Sequence, residues 1–418
     1  MNIQVIITII DFLLWLIIAA NVVYALFFAL ASHLPKKTHL PSAILRPFGS
    51  KRADLERRHQ TSDISHQPSF LVLIPAYHED AVIINTVKSF LLQDYPKDLY
   101  QLCVISDHME AHTNEQLAAH PITLLQPTFE NSSKAQALQY AISDIRLQTS
   151  DIYNFVVILD ADNIVAPDFL SQLSKIAYPD IAIQCHRTAK NTNNDIAALD
   201  GLSEEINNSI FRQGHNRIGM SSALIGSGMC FDYDWFKANV TKLNTAVEDR
   251  ELEALLMKQN IYIHYVNDIH VLDEKVSNSD NFQRQRLRWM TGQVQTLFQM
   301  LPYIPQAIIT GNINYIDKTI QQALIPRSIL LVLTPILCIV ATLTSYITHH
   351  TSQIFHLKWW FLYIALCIAL YLAIPMQMHR QPLFCKLMSF PALVWKMTLN
   401  ITKIDHKNKI FIHTSHEK

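Results

Sequence analysis

The chain has 418 residues, half of them hydrophobic and 17% charged, with 34 basic and 35 acidic side chains and a formal net charge of −1. That length holds one sizeable core plus membrane segments, the apolar share points to a membrane enzyme, and the balanced charge excludes a global basic field for nucleic acid. Eight glycines, none between Gly49 and Gly201, exclude a P-loop and a dinucleotide GxGxxG turn, and six cysteines without a CxxC pair imply neither a zinc site nor a disulfide framework.

Ile3 to Ala31 is an apolar stretch broken by Asp11 and a few small polar residues, and it lacks the basic start and small-residue cleavage site of a signal peptide. It is long enough to span about 30 Å of hydrocarbon, so residues 1–34 read as a transmembrane helix. The connector over residues 35–69 carries Lys36, Lys37, Arg46, Lys51, Arg52, Arg57 and Arg58, which puts this flank in the cytoplasm and the N-terminus outside.

From Phe70 short apolar runs alternate with helical periodicity. Phe70–Ile74, Leu102–Ser106, Ile122–Gln126, Phe155–Leu159 and Ile181–Cys185 read as strands. Ile83, Val87, Phe90 and Leu91 form one helical face with Asp80 placed as its N-cap, and Lys134 to Leu147 gives a second helix. The pattern predicts an α/β domain over residues 70–303 with a mainly parallel sheet. Ligands then gather at the strand C-termini, where Pro75-Ala76-Tyr77-His78-Glu79, Asp107 and Asp160-Ala161-Asp162 all fall.

The last of these carries the most chemistry. On a strand, residues i and i+2 share a face, so Asp160 and Asp162 would address one ligand together. Two close carboxylates repel unless a proton or a cation lies between them, and Mg²⁺ or Mn²⁺ prefers such oxygen ligands, with a metal-bound phosphate as the natural guest. A lone Asp-x-Asp is more often simply a strand running into an Asp-rich turn; the motifs further along lift the functional reading above it. With no glycine cradle, a diphosphate here must be neutralised by a metal and by side chains.

Asp195 to Arg217 is predicted as a helix, Leu224 to Phe231 as a strand whose Gly226 and Gly228 allow close backbone approach, and Val247 to Gln259 as another helix. Glu248 and Asp249 open that helix, where acids are favoured by the dipole, so capping is the plain alternative for one of them. Gln285, Arg288 and Trp289 stand at i, i+3 and i+4 of the next helix, a face that also suits an interfacial anchor. Over residues 304–380 an interfacial segment precedes two spans, Ala323–Ile347 and Trp359–Met378, joined by a loop with His349 and His350. Residues 381–418 read as an interfacial amphipathic segment and a cytoplasmic tail, giving three crossings in all.

The ordered set Pro75-Ala-Tyr77-His-Glu79, Ser106-Asp107, Lys134-Ala-Gln-Ala-Leu138, Asp160-Ala-Asp162, Glu248-Asp249 and Gln285-Arg-Leu-Arg288-Trp289 resembles the membrane-embedded family-2 glycosyltransferases, among them the synthases of cellulose, chitin oligosaccharide and hyaluronan. The resemblance covers residues 70 to 300 closely and the membrane parts only in kind. It implies a glycosyltransferase-A, Rossmann-like cytoplasmic domain with flanking transmembrane helices in the plasma membrane. It also implies a UDP-sugar donor, a Mg or Mn cofactor, a glycan or lipid acceptor, and inversion to a β-linkage. By the same resemblance Asp107 holds the uracil beside Pro75, Tyr77 and Glu79, Lys134 and Arg288 counter the diphosphate, and Asp162 with Asp160 binds the metal. Asp249, beside Glu248, is the general base, and Gln285 and Trp289 close the acceptor end. Two positions depart from the pattern: Val247 replaces the usual Thr before Glu-Asp, and His78 stands where Asn is more common. Because three crossings are few to enclose a hydrated tunnel, a second copy, an export partner or a lipid-linked product is expected.

Overall fold

The computed structural model describes residues 3–36, 67–144, 153–191, 194–245, 247–276, 279–348, 354–376 and 378. Most of the expected connector 35–69, the loop with His349 and His350, and the expected amphipathic segment and tail 381–418 lie outside these residues.

After α1 (Ile3–Ser32) come β1 (Phe70–Tyr77), α2 (Ile83–Phe90), β2 (Tyr100–Asp107), α3 (Ala111–Ala118), β3 (Thr123–Leu125), α4 (Lys134–Ser143) and β4 (Phe155–Ile158). Next are β5 (Ile164–Val165), α5 (Phe169–Ser174), β6 (Ile181–Ala189) and α6 (Asp195–Asn207). A π-helical segment over Asn208–Gly214 continues α6 into α7 (His215–Ile218). There follow β7 (Met229–Asp232), α8 (Tyr233–Asn239), α9 (Glu248–Lys258), β8 (Tyr262–Asp273), α10 (Ser279–Met300), α11 (Ile304–Ile309), α12 (Ile313–Ala323), α13 (Arg327–Thr348) and α14 (Ile354–Ala373).

The strands form one sheet in the order β3-β2-β1-β4-β7-β6-β8-β5. The half β3-β2-β1-β4 is parallel, as expected. Beyond it the sheet is mixed: β7 runs antiparallel between β4 and β6, β8 is parallel to β6, and β5 is antiparallel to β8. The inner strands are apolar on both sides because both faces are covered. Leu71, Leu73, Ile105, Val156 and Ile158 pack with Leu138, Leu252 and Leu256 on one face, and Phe70, Val72, Ile74, Val104 and Val157 pack with Ile83, Val87 and Phe90 on the other.

Several element bounds differ from the sequence reading. Residues 224–228 do not extend into β7, because Gly226 and Gly228 sit at φ +80° and +64° and turn the chain. Asp80 does not cap α2. The helix begins three residues later with Val82 at the cap position, and Asp80 Oδ1 instead accepts from Glu110 N at 2.8 Å. The second apolar helix starts at Arg327 and not Ala323, since Pro326 cannot continue α12 and separates it from α13.

Among the described residues three helices are long and apolar enough to cross a membrane, over Val5–Ser32, Arg327–Tyr346 and His356–Ala373. They pack together through Ile18, Val22, Leu330, Cys338, Trp359 and Leu366. Asp11, the interruption in the first of them, pairs with Lys358 and accepts from Trp359 Nε1 at 2.9 Å. The helical stretch α6 to α7 lies against these helices through Leu202, Ile206 and Ile210, which meet Ala25, Phe28, Ala29, Ala369 and Ala373. Gly214 permits that approach, because a Cβ there would stand 2.3 Å from the Phe28 carbonyl oxygen. Tyr24 of α1 also donates to Asp317 of α12 at 2.8 Å, tying the first apolar helix to the amphipathic one.

Candidate active site

The parallel strands end together. Tyr77 at the end of β1 is in register with Asp107 at the end of β2, and β4 ends at Ile158 opposite Leu73. Pro75 is tolerated in an inner strand because β1 has by then outrun β4, so its missing N–H breaks no ladder bond to that neighbour.

Asp160 and Asp162 sit in a turn beyond β4, not on an extended strand as the i, i+2 argument assumed. Asn163, 1% exposed, closes the turn: its backbone N donates to Asp160 O at 3.1 Å, and its Oδ1 accepts from Asp160 N at 3.0 Å. Its Nδ2 donates to Asp162 Oδ1 at 3.0 Å and to Asp273 Oδ1 at 3.2 Å. Asp273 ends β8, delivered by the parallel pairing of Ala189 with Asp273. Asp162 is fixed further by Glu274 N, which donates to its Oδ2 at 2.9 Å.

The three carboxylates Asp160, Asp162 and Asp273 each present an oxygen within 4.8 Å of the others. At that separation like charges repel by about 3.5 kcal/mol per pair at an effective dielectric of 20, enough to force a proton or a cation into the cluster. Burial drives the Asp273 carboxyl well above the usual range, with Asp162, Asp160 and Asp200 adding to the push and Arg187 opposing it. Asp160 goes the other way: burial alone would raise it, but Lys134, Arg187 and Arg288 hold it below its ordinary value. Three carboxylates gathered this closely form an all-oxygen donor set that fits a hard divalent cation.

Cations line the opposite side. Lys134 opens α4, whose N-cap is Ser133, and its Nζ pairs with Asp160 and with Glu248 Oε1 at 3.4 Å and donates to Gly226 O at 2.6 Å. Burial works against its charge, yet Asp160, Glu248 and Asp249 keep it above the ordinary lysine value. Arg187 Nε donates to Glu204 Oε1 at 2.7 Å, and its Nη1 lies 3.7 Å from both Asp160 Oδ2 and Asp273 Oδ1. Burial lowers Arg288, with Glu248, Asp160 and Asp249 as the opposing negative charges. Behind Asp273, buried Lys275 pairs with it at 2.7 Å and with Glu204, and is pushed down to about 7 by burial and by Arg187.

Glu248 and Asp249 occupy the first turn of α9 and face Gly226 together with Lys134. A Cβ on Gly226 would lie 3.8 Å from Asp249 Oδ2 and from Glu248 Oε1 and 4.0 Å from Lys134 Nζ, ordinary contact distances, so it is the backbone at φ +80° that calls for glycine here. Burial pushes the Glu248 carboxyl up to about 7; Lys134 opposes and Asp249 and Asp160 reinforce the shift. Asp249 is only partly buried, with Oδ1 accepting from Arg250 N at 2.9 Å. Val247 seats on Gly292 of α10, where a Cβ would come within 2.4 Å of Val247 Cγ1. That contact sets the start of α9 against the helix carrying Gln285, Arg288 and Trp289.

At the other edge Asp107 is 3% exposed, its Oδ1 paired with His108 Nδ1 at 2.6 Å. Tyr77 packs on His78 and His108 at ring distances of 4.5 and 5.7 Å, and Glu79 N donates to Met109 Sδ at 3.1 Å. On α10, Trp289 stacks with Arg286 at 4.5 Å, and Gln285 Oε1 is buried without a hydrogen-bond partner among the described residues.

Asp160, Asp162, Lys134, Glu248, Asp249 and Arg288 are thus brought to one centre, with Asp107, Tyr77 and Glu79 along the edge formed by β1 and β2. Sequence reasoning missed Asp273, Asn163 and Arg187. The available signal for Asp273 was the alternating run Tyr262–Asp273, which is β8.

Residues 67–292 match the family described as glycosyltransferase like family 2. No curated protein matches the chain. Among solved structures, it is similar to the mannosyltransferase PcManGT from Pyrobaculum calidifontis in complex with GDP-Man and Mn²⁺, at 15% identity and TM-score 0.44 over 85% of this chain and 99% of that one. It is also similar to S. aureus TarS 1-349, at 13% identity and TM-score 0.38 over 80% and 90% of the two chains. A third is M. tuberculosis glucosyl-3-phosphoglycerate synthase with Mn²⁺, UDP and phosphoglyceric acid, at 19% identity and TM-score 0.35 over 59% and 80%. With the family match covering residues 67–292, just over half of its 418 residues, the chain belongs to glycosyltransferase family 2.

Proposed function

We propose that the protein is an inverting, membrane-anchored glycosyltransferase that moves a sugar from a UDP-sugar to a growing glycan, forming a β-glycosidic bond in exopolysaccharide or oligosaccharide synthesis. The observation that carries this reading is the convergence of the carboxylate cluster Asp160, Asp162 and Asp273 with Lys134, which pairs with both Asp160 and Glu248 and faces Gly226 together with Glu248 and Asp249.

In this reading Asp107 accepts a hydrogen bond from the uracil, with Pro75, Tyr77 and Glu79 shaping that edge. Lys134 and Arg288 meet the diphosphate with charge-assisted hydrogen bonds in a partly dehydrated site, where they favour its departure. Asp160, Asp162 and Asp273 would hold Mg²⁺ or Mn²⁺, which when bound supplies further positive charge to the leaving diphosphate. Asp249 takes the proton of the acceptor hydroxyl as its oxygen bonds to the anomeric carbon on the face opposite UDP, and the bond to the diphosphate oxygen breaks with inversion. Proton acceptance of this kind is worth roughly 10²–10⁴-fold. Glu248, whose carboxyl burial pushes up to about 7, holds its proton part of the time at neutral pH and is not the assigned base. Gln285 and Trp289 close the acceptor end, the indole offering an apolar face to a sugar ring.

The anchor over residues 1–34, the spans within 304–380 and the basic flank Lys36-Lys37 support a catalytic unit, residues 70–303, on the cytoplasmic face of the plasma membrane, where UDP-sugars are made. A second reading, transfer of a single sugar to a lipid such as a ceramide or polyprenyl phosphate, draws support from the same spans. Three helices can shield few of the polar groups that a polymer tunnel needs. The test is UDP release from a panel of UDP-sugars by the purified protein. Asp249→Asn is expected to keep UDP binding and lose turnover by about 10²-fold or more. Near-wild-type turnover in that variant would show that the base is assigned wrongly.

A further inference from the structure

Two histidines stand in unfavourable backbone at the edge formed by β1 and β2, and the transfer chemistry uses neither. The two strands end in register at Tyr77 and Asp107, so His78 and His108 are the first residues past those matched ends. Both have left-handed φ values, +53° and +54°. Glycine adopts that conformation freely and a side chain does not, so a histidine at both positions points to a use for the ring.

At His108 the use is visible. With the chain turned left-handed, its ring lies back on the residue before it, and Nδ1 is 2.6 Å from Asp107 Oδ1. A carboxylate only accepts hydrogen bonds, so Nδ1 carries the proton and donates. Phe129 N donates to the same oxygen at 3.5 Å. Both bonds to the Asp107 side chain therefore fall on Oδ1, and Oδ2 takes none from the described residues. The Tyr77 and His78 rings flank the His108 ring, each with its centroid 5.7 Å away. The Asp107 side chain is 4% exposed and that of His108 37%, so the imidazole is the outer member of the pair.

One open carboxylate oxygen reads a base differently from two. Uracil presents a single ring N–H between two carbonyl groups, and one oxygen satisfies it. Guanine presents its N1–H and 2-amino group side by side, a pair that matches both oxygens of a carboxylate at once. With Oδ1 already filled, the guanine amino group enters a buried edge without an acceptor, and an unpaired buried donor weakens binding. Selection of this kind works by withholding the contact that the wrong base needs.

We propose that His108 is a specificity-determining residue of the donor site, which by occupying Asp107 Oδ1 admits uracil and rejects guanine. This rests on the transferase reading, in which Asp107 meets the base, and adds what sets the choice of base. His108 acts through Asp107, so the test reads ratios between nucleotides, which a merely structural role leaves unchanged. The experiment is calorimetric titration of the purified full-length protein with UDP, GDP and inosine diphosphate in the presence of Mn²⁺. The inosine base is guanine without the 2-amino group and has nearly the same size. Wild type is expected to bind UDP most tightly, and inosine diphosphate about tenfold or more tighter than GDP. His108→Gly keeps the left-handed turn and frees Oδ1, so GDP is expected to gain on inosine diphosphate until it binds at least as tightly. Equal binding of the two purine nucleotides to wild type overturns the proposal, because size alone then rejects them, and this comparison needs no variant. A His108→Gly variant in which both purine nucleotides rise or fall together also overturns it, since the ring then only fills space or supports the fold. Failure of the transferase reading shows separately, as wild type binding none of the three.

Discussion

Replacing Asn163 with alanine removes one side chain that organises three carboxylates without itself being a carboxylate. The variant loses the bond from Asp160 N at 3.0 Å and the two bonds to Asp162 and Asp273 at 3.0 and 3.2 Å, keeping only its own backbone bond to Asp160 O. The two bonds to carboxylates are worth about 1.5–3 kcal/mol each in gross terms and the neutral one about 0.5–1.5. Water cannot replace them readily at a residue 1% exposed. Part of the loss falls on folding and part on the cluster, since carboxylates that repel by about 3.5 kcal/mol per pair splay once the amide between them is gone. Partners of this kind behind metal ligands typically govern affinity by about 10–100-fold, and that is the expected loss of Mn²⁺ affinity in Asn163→Ala. The assay is Mn²⁺ titration with UDP present, by calorimetry or by the spectrum of free Mn²⁺, with Asp162→Ala and added EDTA as the limits of complete loss. Asn163→Ala binding Mn²⁺ as tightly as wild type would refute the claim that this amide builds the site.

Two further outcomes follow from the catalytic end. Gly292→Ala puts a Cβ 2.4 Å from Val247 Cγ1, an overlap costing about 1–3 kcal/mol that displaces the start of α9, so turnover should fall and Val247→Ala in the same chain should restore it. A single Gly292→Ala variant with wild-type turnover would show that the contact does not set Glu248 and Asp249. Glu248 keeps its proton to about pH 7 when folded against an ordinary 4.5, so the folded state binds the extra proton and its stability falls as pH rises through that window. Glu248→Gln should flatten that part of a denaturation-midpoint profile, and an unchanged slope would assign the effect to another group.

Much of the candidate site was legible because its residues sit where strands end, and strand ends show in the sequence as apolar runs stopping at polar residues. Asp107 and Asp160 were found in that way, and the Glu248-Asp249 pair and the α10 face followed from helical spacing. What stayed hidden depends on pairing between distant segments. Asp273 reaches the cluster only because β8 lies parallel to β6 and beside β5, a register that no local pattern announces. Tyr262–Asp273 carries His, Asn and Asp among its apolar residues, so its strand character was diluted. The role of Asn163 is invisible for the same reason: one of its three side-chain partners is 110 positions away. The antiparallel insertion of β7 turns on two glycines whose φ values are set by the fold, and the π segment over Asn208–Gly214 has no sequence signature beyond the helix around it.

The central claim is a single inverting displacement with Asp249 as base on a metal-bound UDP-sugar. It is tested most directly by the anomeric configuration of the product, read from the anomeric proton coupling in the NMR spectrum after turnover of a UDP-α-sugar by the purified protein. A β-linked product formed in step with UDP release is expected. An α-linked product, or β-linked product formed undiminished by Asp249→Asn, would contradict it.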